Sequence, residues 1–346
     1  MKFLQDLTYE KLSEMAAQAG LPAYRAAQLF GWAARGASYA QMSNVPQKVK
    51  EFFIAADYLD TPVRIIKKIT SALDGTVKLL YALQDGNVIE GVLMKYKYGN
   101  TLCVSTQVGC RMNCAFCASG LDGLVRNLQA GEILGQIIAV NGEFGENTVH
   151  NVVLMGSGEP LDNYENTADF LRNVSDPRGL NISKRSISLS TCGLCDKIKR
   201  LCDEGFSPTL TISLHAPNDE LRKTIMPIAQ RYGVKELISA AQHYFNVTKR
   251  RVIFEYSLID GLNDTPECAR ELARLVRGFP THVNLIALNS VKERGLSGSS
   301  AAKVDKFKKM LEEERVSVTL RRSMGADIEG ACGQLRRKFV KGAEEQ

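Results

Sequence analysis

Four of the nine cysteines in this 346-residue chain fall between positions 103 and 117, and three of them, Cys110, Cys114 and Cys117, are spaced C-x-x-x-C-x-x-C. Three closely spaced thiolates can hold three corners of an iron–sulfur cube and leave the remaining iron open to a ligand that is not protein. Such a cluster can do chemistry as well as carry electrons. A structural zinc ion would need a fourth protein ligand at similar spacing, and the next candidates, His150 and Cys192, are remote in sequence. Packing as buried thiols is the remaining alternative. An odd number of cysteines with this clustering argues against a disulfide framework.

Two further cysteines lie near unusual sequence. Cys332 sits in the Gly-rich segment Gly325-Ala-Asp-Ile-Glu-Gly-Ala-Cys-Gly-Gln-Leu335, and Cys103 lies in an apolar run seven residues before Cys110. They could meet in a transient disulfide or be unrelated reduced thiols; spacing alone does not choose. Cys192 and Cys195 form a C-x-x-C at a strand end without a thioredoxin-like context, and Cys195, Cys202 and Cys268 read as helix packing.

The elements that must position these groups follow from periodicity. Residues 1–62 read as a small helical module with helices at Glu10–Gln18, Ala23–Arg35 and Met42–Tyr58, the last with Pro46 in its first turn. Residues 63–99 carry three β-rich runs, Val63–Thr70, Thr76–Leu83 and Val88–Tyr96, separated by Asp74-Gly75 and Asp85-Gly86, which predicts an antiparallel β extension. Glu90 falls inside the third run, either as a buried carboxylate with a task or on the solvated face.

Residues 100–325 alternate apolar strands with amphipathic helices. The strand candidates are Leu102–Val108, Asn151–Met155, Ser186–Leu189, Thr209–Leu214, Val252–Leu258 and Val283–Leu288, with helices such as Ala130–Asn141, Tyr164–Val174, Val234–Phe245, Pro266–Arg277 and Ala301–Glu314 between them. This predicts an α/β fold, a partial (β/α)6 barrel, because six units are fewer than a closed eight-unit barrel needs. Val316–Leu320 adds an edge strand, and residues 326–346 form a C-terminal segment that carries Cys332 and is expected to fray over Lys341–Gln346.

In a parallel barrel the reactive groups follow the strand ends. Gly156-Ser-Gly-Glu-Pro160, Ser190-Thr-Cys-Gly193, Ser213-Leu-His215 and Asn289 all do so. Gly156 and Gly158 allow close backbone approach, and Glu159 could accept hydrogen bonds from a ligand ammonium. Ser190, His215 and Asn289 suit a carboxylate, a ribose and an adenine edge, although a lone His at a strand end is more often satisfied by a neighbouring backbone group.

Composition is that of an ordinary globular chain, 45% hydrophobic and 24% charged, with a net charge of +6 that favours an anionic partner. No apolar run reaches membrane-spanning length, and the acidic residues near the start do not suit a signal peptide, so a cytoplasmic protein is expected. Basic runs at Lys249-Arg250-Arg251, Arg321-Arg322 and Arg336-Arg337-Lys338 could touch phosphates, and the last two flank Cys332.

Together these residues resemble a known family. Cys110, Cys114 and Cys117 resemble the signature of radical S-adenosylmethionine enzymes. The wider set looks like the RlmN/Cfr family of RNA adenine methyltransferases: Thr101-Leu-Cys-Val-Ser-Thr-Gln-Val-Gly-Cys110, the Gly-Glu-Pro turn, Ser213-Leu-His-Ala-Pro217, His282-Val-Asn-Leu-Ile286, Ala331-Cys-Gly-Gln-Leu335 and the N-terminal Tyr24-Arg-Ala-Ala-Gln-Leu-Phe30.

The resemblance implies that Cys110, Cys114 and Cys117 ligate a [4Fe–4S] cluster whose open iron binds S-adenosylmethionine. Gly158, Glu159, Ser190, Ser213, Leu214, His215 and Asn289 would surround that cofactor. It further implies that one cofactor molecule methylates Cys332 and a second is cleaved to a 5′-deoxyadenosyl radical that takes a hydrogen from the S-methyl group. The methylene radical adds to adenine C2, Cys103 releases the product through a disulfide with Cys332, and Glu90 is the proton acceptor. Implied partners are 23S rRNA, tRNA and a low-potential electron donor such as flavodoxin or ferredoxin; no membrane partner and a monomer are expected. Methylation at adenine C8 is the alternative within the family, and a non-enzymatic iron–sulfur RNA-binding sensor is the alternative outside it.

Overall fold

The computed structural model describes residues 1–335; the basic run Arg336-Arg337-Lys338 and the segment expected to fray, residues 341–346, lie outside the described residues. The chain opens with a short strand, β1 (Lys2–Phe3), and three helices, α1 (Tyr9–Gln18), α2 (Ala23–Ala34) and α3 (Gln47–Ala55), closed by β2 (Tyr58–Leu59), which pairs in parallel with β1. Leu12, Leu29, Phe30, Met42, Val49 and Phe53 give this module its own core. Helix α3 is shorter than predicted. Pro46 has extended backbone and stands just before the helix instead of in its first turn, and Asp57, at φ +62°, ends the run before Tyr58. A carboxylate and an amide fasten the module to the rest of the chain: Asp6 accepts from the Gly131 amide at 2.7 Å, and Asn173 donates to the Gln5 carbonyl at 3.0 Å.

Next come β3 (Val63–Thr70), β4 (Val77–Leu83), β5 (Val88–Tyr96) and β6 (Gly99–Cys103), an antiparallel meander. The two Asp-Gly turns form as expected, with Asp74 and Asp85 accepting from the amides of Thr76 and Asn87. The predicted strand Leu102–Val108 is broken. Strand β6 stops at Cys103, and β7 (Gln107–Gly109) leaves to pair with β8 (Leu124–Asn127). Side-chain and backbone hydrogen bonds from distant residues mark the break: Gln136 accepts from the Ser105 amide at 2.9 Å, the Ser105 hydroxyl donates to the Glu90 carbonyl at 2.7 Å, and the Thr106 amide donates to the Ser157 carbonyl at 2.8 Å.

Helix α4 (Ala130–Phe144) then begins the β/α alternation: β9 (Asn151–Leu154), α5 (Tyr164–Ser175), β10 (Ile187–Thr191), α6 (Cys195–Asp203), β11 (Thr209–Ser213), α7 (Asp219–Ile225), α8 (Val234–Thr248), β12 (Val252–Leu258), α9 (Pro266–Leu275), β13 (Thr281–Ala287), α10 (Ala301–Glu313) and β14 (Val318–Arg321). One ten-stranded sheet runs β14-β13-β12-β11-β10-β9-β6-β5-β4-β3. The six expected parallel strands, β6 and β9 to β13, are joined by β14 in the same sense. The antiparallel extension continues this sheet through β5 and β6, where Val92 faces Cys103. Leu210, Ile212, Phe254, Val283 and Leu285 are fully buried, as strands covered on both faces require.

Candidate active site

The three-cysteine loop is pinned at its base by the β7–β8 pair. The Cys110 amide donates to the Gly123 carbonyl at 3.0 Å, and Gly109 (φ +77°) passes so close that a Cβ there would lie 2.0 Å from the same oxygen. Only glycine fits that position. Further along, the Ala115 amide donates to Ile225 O at 2.8 Å, and Arg294 donates to Cys117 O at 3.1 Å and to Asn113 Oδ1 at 2.8 Å.

All three thiols line one cavity of about 130 Å³ at the C-terminal ends of the parallel strands. Burial pushes the Cys110 thiol up to about 12 and the Cys114 thiol higher still. A bound metal supplies the charge that ionises such thiols.

The strand ends supply the opposite wall, where Gly158, Glu159, Ser190, Ser213, His215 and Asn289 face the same cavity. A side chain at Gly158 (φ +109°) would strike Gln107, with its Cβ 2.6 Å away. Glu159 is buried and accepts from the Cys192 amide at 2.7 Å and the Leu161 amide at 3.0 Å, while desolvation holds its carboxyl above the ordinary value. His215 takes left-handed backbone, and its Nδ1 accepts from the Ser257 amide at 2.9 Å, which leaves Nε2 to carry the ring proton. Desolvation, with Arg222 nearby, lowers its pKa to about 3, so the ring stays neutral. The expectation that a backbone group satisfies this histidine holds for one nitrogen. Leu214 differs: its side chain belongs to the core, its carbonyl accepts from Arg222, and it does not line the cavity.

Cys332 also lines this cavity, and with Cys103 it lines a second one of about 30 Å³, whose walls include Val92, Met94, Tyr96 and Arg321. Met155, Ile286 and Asn289 are likewise common to both. Backbone contacts seat the segment on the cluster loop: the Ala118 amide donates to Gly333 O at 2.8 Å, Ser119 Oγ to Leu335 O at 2.7 Å, and Asn289 Nδ2 to Cys332 O at 3.1 Å. Both thiols are free. Burial raises each of them, Cys103 to about 12.

Glu90 is fully buried, so it is not on a solvated face. It shares the sheet face of Val92 and Met94 but lines neither cavity. Its carboxylate pairs with Lys78 at 3.0 Å, and Lys78 donates to the Glu329 carbonyl at 3.0 Å, within the segment that carries Cys332.

Four residues that periodicity does not single out complete the site. Arg222, fully buried on α7, donates to the carbonyls of Cys192 (2.6 Å), Leu214 (3.1 Å) and Ser213 (3.2 Å), tying the ends of β10 and β11 together. Arg321, in the basic run that flanks Cys332, turns toward the site with its side chain 24% exposed. It pairs with Glu255 at 2.8 Å, with Nη1 3.9 Å from Cys332 Sγ and Nη2 3.4 Å from Met155 Sδ. Glu255, the charged residue in the otherwise apolar β12, was the available signal. Cys192 lines the cavity, whereas Cys195 packs as expected, its Sγ donating to Gly193 O. Lys249, Arg250 and Arg251 line a groove at the opposite ends of the strands, away from the cysteines.

The Radical SAM superfamily profile matches residues 104–276. The chain is 46% identical over 343 residues to the probable dual-specificity RNA methyltransferase RlmN of Clostridium novyi (strain NT), covering 99% of each. It is 48% identical over 342 residues to the same-named protein of Clostridium botulinum (strain Okra / Type B1), covering 98% of this chain and 99% of the relative. The crystal structure of a radical SAM methyltransferase from Sphaerobacter thermophilus superposes with a TM-score of 0.90 at 43% identity, covering 97% of this chain and 99% of that one. The three-thiol cavity at the strand ends of a partial barrel is therefore that of a radical SAM enzyme, whose cofactors are a [4Fe–4S] cluster and S-adenosylmethionine. Within that superfamily, the chain belongs to the RlmN family.

Proposed function

We propose that the protein methylates C2 of adenine in 23S rRNA and in the anticodon loop of some tRNAs through a methylated Cys332, consuming two molecules of S-adenosylmethionine per methylation. The observation that carries this reading is the position of Cys332, which lines both the three-thiol cavity and the cavity of Cys103. Adenine C2 is not nucleophilic, so polar methyl transfer has no partner there and the cofactors must carry the hard step. When bound, the cluster and S-adenosylmethionine supply a methyl group and the one-electron cleavage that removes a hydrogen atom.

In this reading Cys110, Cys114 and Cys117 hold the cluster. Glu159 accepts from the cofactor ammonium, and Gly158, Ser190, Ser213, the backbone of Leu214, neutral His215 and Asn289 surround the rest. Cys332 carries the methyl group, held by Asn289 and flanked by the Arg321–Glu255 pair. Cys103 breaks the adduct by forming a disulfide with Cys332. Glu90 takes the proton from C2, with Lys78 stabilising its carboxylate. A monomer in the cytoplasm, reduced by a flavodoxin- or ferredoxin-like donor, completes the proposal; among the described residues no helix is long and apolar enough to cross a membrane.

The test is anaerobic incubation of reconstituted enzyme with RNA, cofactor and reductant, followed by mass spectrometry of the nucleosides. The expected product is 2-methyladenosine. Cys332→Ala should abolish methyl transfer with the cluster assembled, and Cys103→Ala should accumulate protein covalently bound to RNA. Full turnover by Cys332→Ala would overturn the scheme.

A further inference from the structure

We propose that Tyr96 and Tyr98 form a platform on which an unpaired nucleobase flanking the target adenine stacks, a contact that rests on the RNA-methyltransferase reading above. Their rings are parallel, 5.0 Å apart at an interplanar angle of 7°. Tyr96 ends β5 and lines the Cys103–Cys332 cavity, whereas Tyr98 is 73% exposed. Tyr98 thus presents a ring to solvent next to a ring that walls a reactive cavity.

The turn that presents Tyr98 is fixed. Gly99 (φ +122°) passes His150 so closely that a Cβ would lie 3.0 Å from the imidazole side chain, and Tyr96 pairs with Gly99 across the β5–β6 ladder. On the inner side, the Tyr96 hydroxyl lies 3.6 Å from Met94 Sδ. Arg322, exposed, lines the same cavity and adds a cation beside the rings. Aromatic faces with a neighbouring cation are the sequence-tolerant way to hold single-stranded nucleic acid.

Geometry also separates the flanking base from the target. A cavity of about 30 Å³ has room for little more than water, so an adenine whose C2 reaches Cys332 through it must widen it, and Tyr96 is one of its walls. Tyr98, stacked on Tyr96, lies one ring beyond that wall. A base stacked there belongs to a neighbouring nucleotide, and the stack would hold the strand in register while the adenine turns inward.

The experiment uses holoenzyme and an anticodon stem-loop RNA that the wild type methylates, with the 5′ or the 3′ neighbour of the target made abasic in turn. Tyr98→Ala should weaken binding by about 5- to 150-fold, the range of one base–aromatic stack, and Tyr98→Phe should stay within about twofold of wild type. One of the abasic RNAs should weaken wild-type binding similarly and add nothing to Tyr98→Ala. Unchanged binding by Tyr98→Ala, or losses that simply multiply for both abasic RNAs, overturns the platform alone. Failure of the wild type to methylate both the anticodon stem-loops and the 23S rRNA overturns the RNA reading and the platform with it.

Discussion

Replacing Lys78 tests how the chain supports both a buried charge and the seat of Cys332. Lys78 and Glu90 are 1% and 0% exposed and 3.0 Å apart, so neither charge is screened by solvent. Lys78→Met keeps the apolar stem but leaves the Glu90 carboxylate buried without this ion pair, which typically costs ~3–5 kcal/mol. The same substitution removes the hydrogen bond to the Glu329 carbonyl, worth about 1–3 kcal/mol where the acceptor is buried. Glu329 is exposed, so that second contribution falls at the low end. A destabilisation of about 4–6 kcal/mol is therefore expected, read as the shift in urea unfolding free energy. The double variant Lys78→Met/Glu90→Leu removes both charges together and should be more stable than Lys78→Met alone, because an apolar pair avoids the desolvation cost. A Lys78→Met cost below about 1 kcal/mol, or a double variant worse than either single one, would refute the reasoning.

Two other substitutions probe the cavity wall. His215 stays neutral down to about pH 3 in the folded chain, whereas the unfolded histidine takes a proton near its ordinary 6.5. The unfolded state then binds more protons, so stability falls as pH drops from about 6.5 toward 3, with a slope of up to ~1.4 kcal/mol per pH unit. His215→Asn, which can still accept from Ser257, should lose that part of the slope; urea midpoints between pH 7 and pH 4 that run parallel for the two proteins would exclude it. Arg222→Met strips a buried donor from the carbonyls of Cys192, Leu214 and Ser213 and should cost at least about 3 kcal/mol while weakening S-adenosylmethionine binding. Arg222→Lys should recover only part of this, since an ammonium cannot span the same carbonyls; full recovery on equilibrium unfolding would show that charge alone suffices.

Local spacing determined much of this protein. The strands Val63–Thr70, Val88–Tyr96 and Val252–Leu258 stand where their β-rich runs and turns set them, because neighbours in sequence decide period and turn chemistry. The cluster cysteines are likewise legible, since one short loop holds all three. Long-range contacts decided the rest. Gln136 and Ser157 stop β6 at Cys103, Arg222 reaches from α7 to two other strand ends, and Cys192 enters the cavity although its motif reads as packing. Above all, nothing in periodicity brings Cys332 to Cys103. That meeting depends on hydrogen bonds from Ala118, Ser119 and Asn289 to the C-terminal segment, each linking residues too far apart in the chain for any local pattern to record.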